Sequence, residues 1–318
     1  MLRSLTLISL AVLAALAIAG CGSTGSTSQA SGRIDVVATT TQLGDVVKAI
    51  GGDAVNVHQI LQPNTDPHDY EPRPDDIIKT AGAQLVVTSG DNLDQWMGDV
   101  IKNAGGDPTV LDAGAGRPVT LPGETSGPEA SRFDPHWWHD PVNVEYAAGR
   151  IQAALDAADP KAKAAIDRGA RAYLAKLRTL DAGIESCIDR VPAAQRKLVT
   201  DHDAFGYFAK RYGVDIVGAV IPSQTTQAQP SAGDLAQLSA LIKREQVSAV
   251  FPESSINPKL AKAIARETGA SANYTLYGDT LGPKDSAGAT YLTMEQANAD
   301  AMVRGFTDGK DRCAIAGI

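Results

Sequence analysis

The feature that most limits the fold is a long segment with no proline and no strand pattern. Residues 161–190 place apolar side chains three or four positions apart, which is the spacing of one helical face. At 1.5 Å per residue the segment predicts a helix about 45 Å long. Pro160 and Pro192 set its limits, because proline lacks the amide hydrogen that a helix interior needs. This length exceeds what one compact domain requires and favours a rigid strut between two.

Both flanking halves alternate short apolar runs with amphipathic stretches. In the first half, IDVVATT, VNVHQIL, QLVVTSG and PTVLDAG predict buried strands, and two amphipathic stretches predict helices that end at Gly82 and Gly105. In the second half, RKLVTD, VDIVGAV, VSAVFPE and SANYTLY predict strands, and four further stretches predict helices. Such alternation is typical of parallel α/β layers. We therefore expect an α/β protein of two lobes, residues 33–159 and 193–318, each a mainly parallel sheet with surrounding helices, joined by one long rigid helix within residues 160–192.

The beginning of the chain indicates export. Arg3 precedes an apolar run that is shorter than the roughly 20 residues a bilayer-spanning helix needs. Small residues then lead to Cys21, so residues 1–20 are predicted to be a signal peptide. The Ile-Ala-Gly-Cys sequence resembles the lipobox of bacterial lipoproteins, in which case Cys21 would carry the lipid and residues 21–32 would form a flexible tether. An ordinary signal peptide with an incidental cysteine is the alternative.

Charge and cysteine content narrow the possible functions. The net charge is −8 and no basic run is present, so nucleic acid is a poor candidate for a partner. Two cysteines remain beyond the signal region, Cys187 and Cys313, and outside the cytoplasm such a pair can oxidise. A disulfide would attach the C-terminal tail to the long helix. Two unpaired thiols are the alternative, because the sequence does not give the distance between them.

The histidines are concentrated in loops. His68, His136, His139 and His202 follow or lie near predicted strand ends, whereas His58 lies within a strand and is interpreted as structural or exposed. Ligands of open α/β sheets gather at the carboxyl ends of strands, and imidazole suits zinc and related ions. Compact enzyme motifs such as His-Glu-x-x-His, the P-loop and Gly-x-Ser-x-Gly do not occur in the sequence. The residues therefore favour a metal site in the cleft between two lobes.

Four motifs carry a family resemblance: DPHDYEP, DPHWWHDP, HDAFGYFAKRYG and LYGDTLG, with the long helix between the second and the third. In this order they resemble the zinc- and manganese-binding receptors of bacterial ABC importers, the ZnuA/TroA-like solute-binding lipoproteins, over nearly all of the chain from Ile34 onward. The resemblance implies a metal-import receptor and not an enzyme. It also implies an ABC permease and its ATPase as partners, and a chain anchored by its N-terminal lipid to the outer face of the cell membrane. We expect a monomer.

The resemblance implies four metal ligands, one from each motif: His68, His136, His202 and Asp279. Without it, the preferred interpretation of Asp279 is a turn aspartate that caps its own backbone. His139 occupies a position that is often non-ligating in the family, so it could lie beside the site, at its lip or on the surface. Direct ligation by His139 is the less favoured alternative.

The aspartates that flank these histidines are candidates to orient the imidazoles by accepting the N–H that does not face the metal: Asp134, Asp140, Asp201 and Asp203. Helix capping and turn formation are the alternative for most of them. Some zinc receptors of the family also carry a histidine- and acid-rich loop between the first two ligand motifs. The matching stretch here, LPGETSGPEASRFD, has no histidine, so we expect no metal-scavenging loop.

The ligand set favours one metal. Three imidazoles and one carboxylate suit Zn²⁺ better than the harder Mn²⁺, and zinc also stands above manganese in general affinity order. Mn²⁺, or mixed use of both ions, is the alternative. A zinc hydrolase needs an open coordination position, which four protein ligands do not leave. Surface adhesion, a role that some family members have carried, is a further alternative that no residue of the sequence supports.

Overall fold

A computed structural model describes residues 32–318. The expected signal peptide, the lipidation site at Cys21 and all but the last residue of the tether lie outside the described residues. Among residues 32–318, no helix combines the length and the apolar content that crossing a membrane requires.

The first half is built on a four-stranded parallel sheet. Its strands are β1 (Ile34–Ala38), β2 (Val55–Gln59), β3 (Leu85–Thr88) and β4 (Thr109–Asp112). They lie in the order β2-β1-β3-β4, and every neighbouring pair is parallel. The central strands β1 and β3 are almost entirely buried, as expected for parallel strands covered on both faces. This burial explains why their sequences are continuous apolar runs.

Four helices accompany this sheet: α1 (Thr41–Gly51), α2 (Pro74–Ala81), α3 (Met97–Ala104) and α4 (Pro141–Ala158). The glycines that cap α2 and α3 are Gly82 and Gly105, as the sequence predicts. Helix α4 is not among the predicted elements. It begins where the Asp140 side chain accepts a hydrogen bond from the Val142 amide at 3.0 Å. Its many alanines blur the contrast between its two faces, which is why its periodicity is weak.

The long helix is present as α5 (Lys163–Asp189), 27 residues in length. The seven apolar positions that define its face in the sequence are all buried: Ile166, Ala170, Tyr173, Leu177, Leu180, Ile184 and Ile188. The helix packs against α1 and α4 of the first half. Near its C-terminal end Cys187 forms a disulfide with Cys313, with 5.4 Å between the two Cα atoms.

The second half contains a smaller parallel sheet and four helices. Its elements are β5 (Lys197–His202), α6 (Gly206–Tyr212), β6 (Asp215–Ile221), α7 (Ala232–Glu245), α8 (Lys259–Thr268) and α9 (Tyr291–Phe306). Strand β5 pairs with β6, and α6 and α9 pack against α5. The predicted strands VSAVFPE and SANYTLY form only isolated parallel bridges, from Ala249 to Ser271, from Phe251 to Thr200 and from Glu253 to Leu276. Pro252 lies between the last two bridges and has no amide hydrogen to continue a ladder.

The two halves share one apolar core. The largest cluster of buried side chains includes residues of β1, α5 and α9, and residues 33–318 form one compact unit. The boundaries of the two lobes at residues 159 and 193 stay a prediction. The shared core means that loops from both halves can meet with little freedom between them.

Candidate metal centre

Each of the four expected ligands lies on a locally constrained segment. His68 lies in the one-turn 3-10 helix Pro67–Asp69, where the Asp66 side chain accepts a hydrogen bond from the His68 amide at 3.0 Å. His136 precedes a second short turn, Trp137–His139. His202 is the last residue of β5.

The fourth residue, Asp279, lies in the turn before α9 and has a neighbour that must be small. A Cβ atom at Gly278 would lie 2.3 Å from Oε2 of Glu253 and 3.7 Å from Cε1 of His202. Glycine therefore allows the turn to approach the segment that carries His202. This contact explains the first glycine of the LYGDTLG motif without any need for unusual backbone angles.

The structure brings these four side chains together in one buried cluster. One potential ligand atom from each residue lies within 4.8 Å of all the others. Oδ1 of Asp279 lies 3.5 Å from Nε2 of His136 and 3.4 Å from Nε2 of His202, and the two Nε2 atoms are 3.3 Å apart. Ligands bonded to a tetrahedral zinc ion at 2.0–2.1 Å are separated by about 3.3 Å. These three groups thus already have the spacing of a zinc coordination sphere.

His68 lies slightly further out, with its Nε2 atom 4.0 Å from Oδ1 of Asp279. Three polar atoms on the side of the cluster away from the Nδ1 atoms have no hydrogen-bond partner among residues 32–318, namely Nε2 of His68 and both carboxylate oxygens of Asp279. Unpaired buried polar atoms are costly, so most are satisfied in native proteins. A cation at the centre of the cluster would satisfy all three, so the residues present fit a metal.

A carboxylate stands behind each imidazole. The distances from the Nδ1 atoms are 2.6 Å for His68 to Glu129, 2.8 Å for His136 to Asp134 and 2.9 Å for His202 to Glu253. Such contacts fix the ring orientation and direct Nε2 towards the centre. Metal-binding histidines commonly have this arrangement, which strengthens the interpretation of the cluster.

Of the four aspartates suggested for this orienting role, Asp134 has it. Asp140 instead caps α4, and Asp201 accepts the amide of Glu253 at 2.8 Å. Asp203 forms neither a hydrogen bond nor an ion pair with an imidazole within the described part of the chain. The capping alternative was thus the better interpretation for Asp140, whereas Asp201 binds a distant backbone amide, which neither alternative predicts.

The sequence analysis missed two of the orienting carboxylates, Glu129 and Glu253. Glu253 ends the predicted strand VSAVFPE, so its place at a carboxyl strand end was a usable signal. Glu129 lies in a loop 61 residues from His68, and no local pattern relates the two.

The remaining histidines lie outside the cluster. His139 is fully buried, but its Nδ1 atom contacts Oε1 of Glu295 at 2.8 Å and its ring stacks on Phe205. His58 is partly buried and lies 3.5 Å from Asp76. The structure thus groups His136 and not His139 with His68, His202 and Asp279.

The charges of the cluster are strongly coupled. Burial disfavours the charged form of His136, but the carboxylates of Asp134 and Asp279 outweigh it and raise the pKa of His136 to about 9. Burial also opposes charge on His202, yet Asp279 and Glu253 raise its pKa well above the ordinary value. Burial favours the neutral form of Asp279. His202 and His136 outweigh this effect and hold the pKa of Asp279 well below its usual range. Without a metal, protons therefore supply the positive charge that the carboxylates require.

The fold and this cluster together are similar to those of a known class of proteins, the periplasmic metal-binding proteins. The periplasmic zinc-binding protein TroA from Treponema pallidum superposes with a TM-score of 0.79 and 30% sequence identity, covering 86% of this chain and 99% of TroA. Residues 36–305 match the family model described as the periplasmic component A of the zinc-uptake complex, ZnuA. The chain belongs to this family of metal ABC transporter substrate-binding proteins, and it is therefore not an enzyme.

Similar proteins of known role differ in the metal that they are named for. The iron-binding protein YfeA of Yersinia pestis is 32% identical over 279 residues, which is 88% of both chains. The metal ABC transporter substrate-binding lipoprotein SloC of Streptococcus mutans is 30% identical over 282 residues, 87% of this chain and 92% of SloC. Membership of the family thus defines the role as a metal-binding component of an ABC transporter, and it does not define the ion.

Proposed function

We propose that this chain captures Zn²⁺ outside the cytoplasm and delivers it to the permease of an ABC importer. The observation that carries the proposal is the donor set, three imidazole nitrogens and one carboxylate in a buried cluster. In this proposal the metal ligands are His68, His136, His202 and Asp279. The ion is cargo, and no bond of a substrate is made or broken.

The nature of the donors favours zinc over its rivals. Zn²⁺ accepts four nitrogen and oxygen donors in a tetrahedral arrangement, whereas Mn²⁺ prefers more oxygen donors. Zinc also forms stronger complexes than Fe²⁺ or Mn²⁺ with a given nitrogen and oxygen site. Mn²⁺, alone or together with Zn²⁺, is the main alternative, and the iron named in YfeA makes Fe²⁺ the next ion to test.

The same proposal assigns the remaining parts of the chain. Cys21 would carry the lipid that anchors the protein to the outer face of the cell membrane, and residues 21–32 would form the tether. Lobes of residues 33–159 and 193–318, joined by the helical segment 160–192, would present the loaded cleft to the permease, which a cytoplasmic ATPase drives. We propose that the receptor acts as a monomer.

Burial of the site gives a physical reason why capture must involve movement. The four residues are between 0% and 4% exposed, so an ion cannot reach them without a local opening. The ligands come from both halves of the chain, so binding couples the packing of these segments to occupancy. Release at the permease then requires the same contacts to be broken.

The test is a competition titration of metal-stripped residues 33–318 with Zn²⁺, Mn²⁺ and Fe²⁺, each measured against a chelator of known affinity. The proposal expects one zinc per chain, bound far more tightly than the other two ions. His202→Ala should weaken zinc binding strongly, whereas His58→Ala, which changes a histidine outside the cluster, should leave it unchanged. Equal or tighter binding of manganese would move the cargo to Mn²⁺ or to mixed use.

A further inference from the structure

A buried pair of ionisable residues lies next to the metal centre but does not belong to it. His139 follows His136 by three residues, and Glu295 lies in α9. Both are fully buried, and Nδ1 of His139 lies 2.8 Å from Oε1 of Glu295. Neither residue has a role in the proposed capture of the ion.

The pair is an unfavourable way to fill an apolar core. Nε2 of His139 and Oε2 of Glu295 have no hydrogen-bond partner within the part of the chain that is described. Half-satisfied buried polar pairs are generally worse for stability than apolar side chains of similar volume, and replacing such pairs is often neutral or stabilising. A gain in folding stability therefore does not explain the pair. What it adds is a directional contact in a place where apolar packing would allow small shifts.

His139 lies between the segments that carry two of the expected ligands, His136 and His202. On one side, the amide of His139 donates to the carbonyl oxygen of His136 at 3.3 Å, so the two residues share one tight turn. On the other side, the His139 ring stacks on Phe205, with 4.3 Å between the centroids and 26° between the planes. Phe205 follows His202 by three residues. His139 thus contacts the supporting segments of two expected ligands.

The helix that carries Glu295 is also connected to the segment of Asp279, through Tyr291 and Trp138. In the same helix, the Tyr291 hydroxyl donates to the carbonyl oxygen of Trp138 at 2.7 Å. The Trp138 indole donates in turn to the carbonyl oxygen of Gly278 at 3.0 Å, immediately before Asp279. The pair therefore lies where the segments that carry His136, His202 and Asp279 meet.

We propose that the His139–Glu295 pair is a positioning device that fixes the relative placement of three metal ligands. The inference rests on the proposed function, because the geometry that the pair sets is that of the metal centre. Neither His139 nor Glu295 touches the ion in this account. Loss of the directional contact should loosen the coordination sphere, speed metal release and alter ligand geometry.

The experiment compares three variants of residues 33–318: His139→Leu, Glu295→Met and the double variant. Each single variant leaves one polar partner buried alone, so it is expected to lose stability as well as metal affinity. The double variant replaces both by apolar side chains and should recover stability. The decisive readouts for the double variant are zinc affinity and the visible absorption spectrum of bound Co²⁺, which reports ligand geometry.

The positioning role predicts that the double variant is as stable as the native chain but binds zinc at least about 10-fold more weakly, as expected when groups that orient ligands are removed. It also predicts a changed cobalt spectrum. A double variant with native stability, native zinc affinity and a native cobalt spectrum would overturn it. If the double variant does not recover stability, His139→Phe combined with Glu295→Met supplies the comparison, since it removes the polar contact but keeps a ring to stack on Phe205. Native zinc affinity and a native cobalt spectrum in that variant would equally overturn the proposal.

The failure of the proposed function would look different. In that case the native chain itself would bind zinc weakly or not at all, whatever the variants do. The positioning role is judged from differences between native and variant chains, and the cobalt spectrum reports these differences even when the native chain binds zinc weakly. Native binding of another ion with a changed cobalt spectrum in the double variant would keep the positioning role and reject zinc as cargo.

Discussion

The Gln42 side chain donates a hydrogen bond to the backbone oxygen of Asp279 at 2.8 Å, across 237 residues of sequence. Gln42 lies in α1 of the first half, whereas Asp279 belongs to the second. The neighbouring Thr41 hydroxyl accepts the Leu281 amide at 2.8 Å, so both ends of the Asp279 turn are held by α1. The turn that supplies the only carboxylate of the proposed site is therefore attached to the opposite half of the molecule.

This attachment predicts that Gln42→Leu increases the rate of zinc release. A buried hydrogen bond contributes about 1 kcal/mol, and its loss leaves the Asp279 carbonyl unpaired, so affinity should fall about 5-fold. Stopped-flow transfer of zinc to a chelator measures the release rate. Gln152→Leu is the matched control, because Gln152 bonds only to Asp167, on α5. Equal release rates in the two variants would show that the attachment does not hold the turn.

Removal of the carboxylate behind His202 should weaken binding without removing a ligand. Glu253→Gln keeps the size of the side chain but loses the charge next to Nδ1 of His202, and we expect a 10- to 100-fold loss of zinc affinity. Competition titration measures the loss. Glu245→Gln is the control, because Glu245 ends α7 and pairs with Lys197, away from the site. Native affinity in Glu253→Gln would contradict the orienting role.

Proton release should accompany metal capture. The carboxylates of Asp134 and Asp279 outweigh burial and raise the pKa of His136 to about 9, so at pH 7 the metal-free imidazole carries a proton that the ion must displace. Zinc affinity should therefore fall as pH falls and rise as pH increases towards about 9. Calorimetric titrations in buffers with different ionisation enthalpies count the released protons. A binding enthalpy independent of the buffer would contradict this prediction.

The disulfide should contribute to stability and not to the metal site. Cys187 and Cys313 close a loop of 126 residues, and constraining the unfolded chain in this way typically adds 2–4 kcal/mol. The double variant Cys187→Ala and Cys313→Ala should therefore unfold at lower denaturant concentration, with zinc affinity nearly unchanged. Urea unfolding of metal-free native and variant chains measures the difference. A large loss of zinc affinity in a folded variant would mean that the C-terminal tail supports the site.

The parts of the fold that depend on local pattern could be predicted from the sequence. The face of α5 could be assigned because its apolar side chains repeat at helical spacing, and the ends of α2 and α3 because glycine stops them. Helix α4 could not, because its alanines give little contrast between faces. The predicted lengths of the strands around Phe251 and Leu276 were wrong, because apolar composition does not show that pairing stops at Pro252.

The ligand residues of the site could be predicted for a different reason. His68, His136, His202 and Asp279 could be named because each lies in a motif that the family shares, and the structure places them together. Glu129 and Glu295 lie far in sequence from the histidines they contact, so only the three-dimensional packing relates them. The role of His139 was left open for the same reason, because its partner is 156 residues away.

The most direct test of the central claim is a crystal structure of the zinc-loaded chain with anomalous diffraction at the zinc edge. The account predicts one strong peak within bonding distance of Nε2 of His68, His136 and His202 and of a carboxylate oxygen of Asp279, with His139 still paired to Glu295. A zinc peak bonded to His139, or one located away from these four residues, would contradict it.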